Sequence, residues 1–356
     1  MYMRKVFCAI VLVCLMLSCA WADVSINTEN FPDNTFRTYV SQNFDADSNG
    51  ILSDTEIAAI EYIGVAESGI SSLRGIEYFT ALRDIECSRN NIAELDLSNN
   101  TLLEYLGCEN NALTALDVSH NPLLKIINLN NLIDGSNEDG TVHFSTDYSR
   151  NNLSALDVSS CPDLEELFFD GSSVSTIDLR NNTKLRMLHC IGNNLSGTLD
   201  LSNCPNLESL LINRNNLASL NVTGCMAIVT LICANNQLTG TLDLQNRTEM
   251  VYLECENNQL TGLNISGCTK LEGLGCENNS ITGTLDLRGM TALVGIAAWD
   301  NHITAVNLQN NTSLESLALH SNDLTAIDVT GCPNLQELHC MNNNLTGTLD
   351  MSHCPQ

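Results

Sequence analysis

The fold is decided by a stretch that reads LEYLGCENNALTALDVS, from Leu103 to Ser119. Its apolar residues follow the pattern L-x-x-L-x-C-x-x-N-x-L-x-x-L-x-V. Related stretches occur thirteen times along the chain, mostly 21 or 22 residues apart. A fixed period of this length indicates a solenoid in which each unit forms one turn. The first apolar positions of the units are Ile60, Leu82, Leu103, Leu124, Leu164, Leu185, Leu207, Ile228, Met250, Leu271, Leu293, Leu314 and Leu335.

The pattern within each unit is typical of a leucine-rich repeat solenoid. Leu103, Leu106 and Cys108 would point inward from a short strand, and the residues between them would point outward. Strands stacked in register form a curved parallel β-sheet. The second half of each unit is too short for a full helix, so we expect an extended or irregular convex side and little helix. Such an array offers its concave face as one long binding surface.

Asparagine occupies the ninth position of most units. An amide at that point can bond the open backbone groups of neighbouring turns, which an apolar residue cannot do. We therefore predict a structural ladder rather than a ligand site. Its members are Asn90, Asn111, Asn193, Asn215, Asn236, Asn258, Asn279, Asn301, Asn322 and Asn343.

Two kinds of irregularity interrupt the period. Units of 22 residues carry Gly-Thr in their second half, at Gly197, Gly240 and Gly283, and each glycine is expected to absorb the extra residue in a β-bulge. The fourth unit contains a longer insertion, an acidic loop at about residues 133–148. This loop is either functional or a tolerated surface excursion.

Charge narrows the choice of partners. The chain has 15 Lys and Arg residues against 42 Asp and Glu residues, a formal net charge of −27. Such a surface repels phosphate backbones, so nucleic acid is excluded as a partner. It suits solubility outside a cell, cation binding or a basic protein partner.

Residues 1–22 read as a signal peptide. Arg4 and Lys5 precede an apolar run, and Ala20-Trp21-Ala22 forms an A-x-A cleavage site. The run is too short to span a membrane comfortably. Lipid attachment at Cys19 is the alternative to simple cleavage after Ala22. Either route predicts a secreted or cell-surface protein without a transmembrane span.

Three of the 16 cysteines lie in that segment, and the other thirteen fall into two columns. In the first column, neighbouring Cβ atoms would be about 4.8 Å apart with parallel vectors, which does not suit a disulfide. We predict buried free thiols there, and no zinc site, because no C-x-x-C pair occurs. The first column contains Cys87, Cys108, Cys190, Cys233, Cys255, Cys276 and Cys340. The second contains Cys161, Cys204, Cys225, Cys268, Cys332 and Cys354.

Ahead of the repeats, residues 45–56 read DADSNGILSDTE, which fits an EF-hand calcium loop at every position. A helix with Phe36, Val40 and Phe44 on one face should enter the loop, so residues 23–59 are predicted to form a small helical cap and residues 60–356 the repeats. An acidic turn that binds no metal is the alternative. The predicted calcium ligands are Asp45, Asp47, Asn49, the Ile51 carbonyl, Ser53 and Glu56.

Repeats with a ladder cysteine and an L-D-V-S ending, as in Leu103–Ser119, resemble the cysteine-ladder repeats of internalin J-like bacterial surface proteins. The resemblance covers about residues 60–356. It implies an adhesin or surface-recognition role directed at a host protein or glycoprotein.

The outward strand positions suggest where a ligand binds. Acidic residues such as Glu109 and Asp170 form a predicted solvated wall near the N-terminal end, and apolar residues follow on neighbouring rungs. Apolar side chains grouped in this way often mark an interaction site, unless the acidic loop merely covers them. The predicted ligand residues are Phe168, Met187, His189, Ile191, Leu211, Ile232, Tyr252 and Trp299.

We therefore predict a non-catalytic protein-binding or adhesion module. A passive structural surface protein is the alternative. An enzyme is the least favoured class, because His189, His320 and His339 face outward from separate units with no Ser or Cys nucleophile at partner spacing.

Overall fold

The computed structural model describes residues 23–131, 133–136, 142–144, 150–352 and 354. The predicted signal peptide lies outside these residues. Within the described ranges, no helix has the length and apolar character needed to cross a membrane.

The N-terminal segment contains β1 (Val24–Ser25), α1 (Asn34–Asn43), β2 (Ile51–Leu52) and α2 (Asp54–Ala58). Asp33 begins α1, because its side chain accepts hydrogen bonds from the backbone N–H groups of Thr35 and Phe36. Ser53 and Glu56 form a capping box that begins α2.

Aromatic rings fix this segment on the first repeats. Phe31, Phe36 and Phe79 are completely buried. The Phe31 ring centroid lies 6.0 Å from that of Phe36 and 6.3 Å from that of Phe79. Phe44, at the end of α1, lies 5.3 Å from Phe79 in an edge-to-face arrangement. The helix and the first turns of the solenoid therefore share one hydrophobic core.

One 3-10 turn (Ile76–Tyr78) and twenty-one strands follow. In chain order the strands are β3 (Tyr62–Gly64), β4 (Asp84–Glu86), β5 (Tyr105–Gly107), β6 (Ile126–Asn128), β7 (Ile133–Ser136), β8 (Val142–Phe144), β9 (Glu166–Phe168), β10 (Met187–His189), β11 (Ser196–Asp200), β12 (Ser209–Leu211), β13 (Asn216–Asn221), β14 (Thr230–Ile232), β15 (Thr239–Asp243), β16 (Tyr252–Glu254), β17 (Gln259–Asn264), β18 (Gly273–Gly275), β19 (Thr282–Asp286), β20 (Gly295–Ala297), β21 (His302–Asn307), β22 (Ser316–Ala318) and β23 (Glu337–His339).

Thirteen of these strands form one parallel sheet, and they follow one another in chain order from β3 to β23. This sheet contains one strand from each predicted unit, which confirms the leucine-rich repeat solenoid. The middle residue of a strand pairs with the middle residue of the next, as Leu167 does with Leu188 and Leu188 with Leu210. These middle residues are completely buried, and the residues on either side of them face the concave surface.

The convex side is extended, as predicted. Short strands pair there in parallel, β11 with β13, β15 with β17 and β19 with β21. Each pair has a register shift directly after a glycine, at Gly197, Gly240 and Gly283. These glycines have φ values of +73°, +74° and +78°, a left-handed conformation that favours glycine. The β-bulge prediction is therefore confirmed.

The insertion in the fourth unit does not interrupt the sheet. Its strands β7 and β8 pair antiparallel as a hairpin. The strand before it, β6, pairs directly with the strand after it, β9. The remaining residues of the predicted acidic loop lie outside the described residues.

The predicted asparagine ladder is present in the core. Asn111 illustrates it: Nδ2 donates to the carbonyl oxygens of Cys87 (3.0 Å) and Cys108 (3.3 Å), and Oδ1 accepts from the Ile92 N–H (3.1 Å). One amide thus satisfies backbone groups from adjacent turns, so its role is structural.

All thirteen described cysteines are unpaired thiols. The second column is shared between cysteine and asparagine, which was not predicted from the sequence. Asn182 donates to the carbonyl oxygens of Val158 (3.0 Å) and Cys161 (2.9 Å). At equivalent positions Cys225 and Cys268 direct their thiols at the carbonyl oxygens of Leu201 and Leu244. A thiol is a weak donor and can stand in for the amide at this point.

Candidate functional site

Outward side chains of the concave sheet lie in rows that run across the strands. The third residues of β9, β10, β12 and β14 are Phe168, His189, Leu211 and Ile232, and strand register places them side by side. All four are half-buried. Together with Met187 and Ile191, which flank His189 on the same turn and are also half-buried, they form what we call the apolar patch.

His189 is the polar centre of this patch. Its ring centroid lies 4.9 Å from that of Phe168, edge to face, and its Nε2 lies 3.0 Å from Ser209 Oγ. Burial lowers the pKa of His189, which favours the neutral ring at neutral pH. We expected no Ser or Cys nucleophile at partner spacing from this histidine, and at His189 that expectation was wrong, because Ser209 reaches it from the neighbouring strand. Among the described hydrogen bonds, none joins the His189 ring to a carboxylate that would orient it as a catalytic base.

The burial of Asp170 shows that the prediction of a solvated acidic wall was wrong at this residue. Only 6% of its surface is exposed, and its Oδ1 accepts a hydrogen bond from the Ile191 N–H at 2.6 Å. Burial raises the pKa of Asp170 to about 7. Glu109 is half-buried rather than solvated, and it accepts a hydrogen bond from the Asn128 side chain. Burial also raises the pKa of Glu109.

Two predicted ligand residues lie outside the patch. Tyr252 is the first residue of β16, next to the strand of Ile232, and its hydroxyl lies 3.2 Å from Glu272 Oε2. Trp299 follows β20, so β16 and β18 separate it from the patch. Its ring stacks on His320 with a centroid distance of 5.3 Å and an interplanar angle of 8°.

Beyond Tyr252 the concave face contains a depression that sequence reasoning missed. Its floor consists of very small residues on three adjacent strands, and its volume is about 470 Å³. The sequence does indicate this depression, because one unit reads Gly-Leu-Gly and the next Gly-Ile-Ala, with the small residues at the outward positions. We call this depression the glycine groove. Its floor residues are Gly273, Gly275, Gly295, Ala297 and Ala318.

The second candidate site is the loop between α1 and α2. Carboxylate oxygens of Asp45, Asp47 and Glu56 all lie within 4.8 Å of one another. Asp45 is 7% exposed, and its carboxylate accepts hydrogen bonds from the N–H groups of Gly50 (2.9 Å) and Asn49 (3.1 Å). Among the described ion pairs, none involves these three carboxylates.

The other predicted calcium ligands bond within the loop. Asn49 donates from Nδ2 to Asp47 Oδ2 (2.8 Å), and its Oδ1 accepts from the Ile51 N–H (2.7 Å). Ser53 Oγ donates to Glu56 Oε2 (2.8 Å). Hydrogen bonds from Ser53 and from the Ala46 N–H lower the pKa of Glu56, so its carboxylate ionises readily. The structure thus groups three of the six predicted ligands and places the other three beside them.

Pairing of the loop strand was also missed. EF-hand loops usually work in pairs, and the sequence contains one such motif, at residues 45–56. Here β2 pairs antiparallel with β1 instead, with Val24 opposite Leu52 and Ser25 opposite Ile51. Val24 and Leu52 are both buried.

Comparisons with known proteins agree with this architecture. No protein-family model matches the chain. Internalin J from Listeria monocytogenes serotype 4b (strain F2365) is 35% identical over 71 residues, which is 20% of this chain and 8% of the relative. The match therefore spans a small part of that relative's length.

Solved structures match over a longer range. The functional domain of InlJ from Listeria monocytogenes, which includes a cysteine ladder, is 30% identical with a TM-score of 0.67, and the match covers 94% of this chain and 74% of that domain. An internalin, InlF, from Listeria monocytogenes strain 4b F2365 matches with a TM-score of 0.57 and 20% identity, over 93% of this chain and 100% of that chain. At that identity the second likeness concerns the fold alone.

Proposed function

The chain belongs to the internalin J-like cysteine-ladder leucine-rich repeat proteins, and from this we propose that it is an exported, non-catalytic binding module. It recognises a protein or glycoprotein with its concave face and acts in adhesion. Export follows from the signal peptide expected at residues 1–22, with cleavage after Ala22.

The observation that carries this proposal is the row of four large side chains on adjacent strands. Phe168, His189, Leu211 and Ile232 lie at strand spacing, about 4.8 Å apart, on the surface that a solenoid leaves open to a partner. Solitary apolar residues on a surface are common, whereas contiguous ones often mark an interaction site. A few well-packed, desolvated side chains near the centre of an interface supply most of its affinity.

Charge complementarity favours a basic partner. The formal net charge of −27 is spread over a chain with few cationic residues, so the protein attracts basic surfaces over a long range. Such attraction increases the association rate and depends on salt, whereas the apolar patch would determine the lifetime of the complex.

We also propose calcium binding at the loop between α1 and α2, with Asp45, Asp47 and Glu56 as the principal ligands. Three carboxylates without a described ion-pair partner repel one another, and a divalent cation between them removes that repulsion. Asn49, the Ile51 carbonyl and Ser53 would complete an oxygen ligand set of the kind calcium requires. Because α1 packs on Phe79, calcium would stabilise the first turns of the solenoid.

The binding proposal is tested on an array of extracellular glycoproteins and glycans probed with the chain from residue 23 onward. Leu211→Glu combined with Ile232→Glu should weaken the signal of any bound component at least tenfold. The control is Ala218→Glu with Thr239→Glu, which adds the same charge at exposed positions of convex strands. Unchanged binding by the Leu211 and Ile232 variant would exclude the apolar patch. Absence of any signal for the parent would favour the passive structural alternative.

A further inference from the structure

The glycine groove lies where the outward rows of the concave face change from large residues to very small ones. The row that contains Phe168, His189, Leu211 and Ile232 continues with Glu254, Gly275, Ala297 and Ala318. The parallel row changes from Tyr252 to Gly273 and then Gly295. Loss of side chains over three strands leaves a depression of about 470 Å³ on the concave face.

Glu256 and Glu277 each place a carboxylate oxygen over the floor of this groove, and the side chain of Glu254 lies beside them. A methyl group placed on Gly275 would lie 3.5 Å from Glu277 Oε2, 3.6 Å from Glu256 Oε2 and 3.8 Å from Glu254 Cγ. Glu256 and Glu277 are half-buried, and the Oε2 atoms of both have no hydrogen-bond partner among the described residues. Burial, with Glu254 and Glu277 nearby, raises the pKa of Glu256 to about 7.

We propose that the glycine groove binds an arginine side chain presented by an extended segment of a protein partner. This inference rests on the proposed binding function and adds a second contact on the same face. The groove provides the space, and the carboxylates of Glu254, Glu256 and Glu277 provide negative charge as they ionise beside a bound cation. None of the described ion pairs includes them. Arg214 is near enough to lower the pKa of Glu256, but burial outweighs its effect. Tyr252, which is 49% exposed at the edge of the groove, offers an aromatic face to the cation.

The spacing of the acids favours a guanidinium over a metal ion. Among the described residues, only Asp45, Asp47 and Glu56 bring three acidic ligand atoms within 4.8 Å of one another. Glu254, Glu256 and Glu277 are therefore spread too widely to coordinate one small ion together. A guanidinium is planar and has five N–H donors, so it can bond carboxylates on different sides at once.

The test uses a blocked five-residue peptide, Ser-Gly-Arg-Gly-Ser, and the same peptide with citrulline in place of arginine. Citrulline has nearly the same shape and no charge. Binding is followed through the backbone amide NMR signals of Gly273, Gly275 and Gly295. The arginine peptide should shift these signals with at least tenfold higher affinity than the citrulline peptide. Equal affinity, or shifts confined to residues 45–56, would overturn the proposal.

Two variants of the protein locate the site. Gly295→Leu fills the groove, because a Cβ atom there meets nothing within 4 Å and the backbone is in an ordinary strand conformation. Glu256→Gln with Glu277→Gln removes two charges and retains the shape. Each should weaken binding of the arginine peptide at least tenfold, whereas Ala218→Leu on the convex side should not. Parent-like affinity in the glutamine variant would refute the proposal even if Gly295→Leu failed to fold.

The same experiment separates this inference from the proposed function. Leu211 and Ile232 lie outside the groove. The variant that carries Leu211→Glu and Ile232→Glu should therefore not weaken binding of the arginine peptide. If the apolar patch is not a binding site, only the array result would show it. If the groove does not bind arginine, only the peptide result would show it.

Discussion

Replacing Asp170 with asparagine is expected to stabilise the protein more at pH 8 than at pH 5. In the folded chain this carboxyl is 6% exposed and has a pKa of about 7, whereas an aspartate in an unfolded chain ionises near pH 4. The folded state therefore holds a proton that the unfolded state releases between about pH 4 and pH 7. Folding stability is highest below this window and falls as the pH rises through it.

The magnitude follows from the difference between the two pKa values. Each pKa unit corresponds to about 1.4 kcal/mol, so ionised Asp170 costs the folded state up to about 4 kcal/mol at pH 8. Roughly two of the three units lie above pH 5. The stability advantage of Asp170→Asn should therefore grow by up to about 3 kcal/mol between pH 5 and pH 8. Asparagine retains a side-chain oxygen that can accept the Ile191 N–H bond, so packing is little changed.

The assay is urea denaturation of the parent and the variant in parallel at the two pH values. Asp178→Asn serves as the control, because its ion pair with Arg180 holds the pKa of Asp178 at about 2. Asp178 is thus ionised in both states at pH 5 and at pH 8, and its substitution should have the same effect at both. An Asp170→Asn advantage that is equal at the two pH values would refute the assignment of a buried, protonated carboxyl.

Two further predictions concern the N-terminal segment and the core of the solenoid. Millimolar calcium should raise the free energy of unfolding of the parent by on the order of 1 kcal/mol, as expected for a weak extracellular site. In thermal melts Glu56→Gln should abolish this effect, whereas Glu61→Gln, outside the loop, should preserve it. Identical melting of the parent in calcium and in chelator would exclude the site. In the second column, Asn182→Ala should cost about 1–3 kcal/mol because it removes two buried hydrogen bonds. The carbonyl oxygens of Val158 and Cys161 lose the Asn182 donor and keep one backbone N–H each. Asn182→Cys should cost less, and equal losses in urea melts would contradict substitution of amide by thiol.

Sequence reasoning was most successful where a residue's role depends on its own unit. The inward positions of Leu103–Ser119 recur in every turn, so one unit predicts thirteen strands. The bulges at Gly197, Gly240 and Gly283 were predictable because an extra residue next to glycine has few other ways to fit into a stack. Helix α1 was predictable because Phe36, Val40 and Phe44 recur at helical spacing on one face.

Features that join different units were missed. The contact between His189 and Ser209 spans two neighbouring strands, and the burial of Asp170 depends on the turn that contains Ile191. The pairing of β1 with β2 joins the segment after residue 22 to the loop between α1 and α2, and Val24 alone gives no signal of it. Each of these relations needs the register between strands, which the period of the sequence leaves open by a residue or more.

The two proposed contacts together define the shape of a partner. Leu211 lies on β12 and Gly275 on β18, three strand spacings or about 14 Å apart across the sheet. An extended chain advances about 3.3 Å per residue, so about four residues span that distance. A segment that crosses the strands with an apolar residue on the apolar patch would place an arginine about four residues further along in the glycine groove. The apolar contact would slow dissociation and the arginine would fix the direction of the segment, because the acidic groove lies on only one side of the patch.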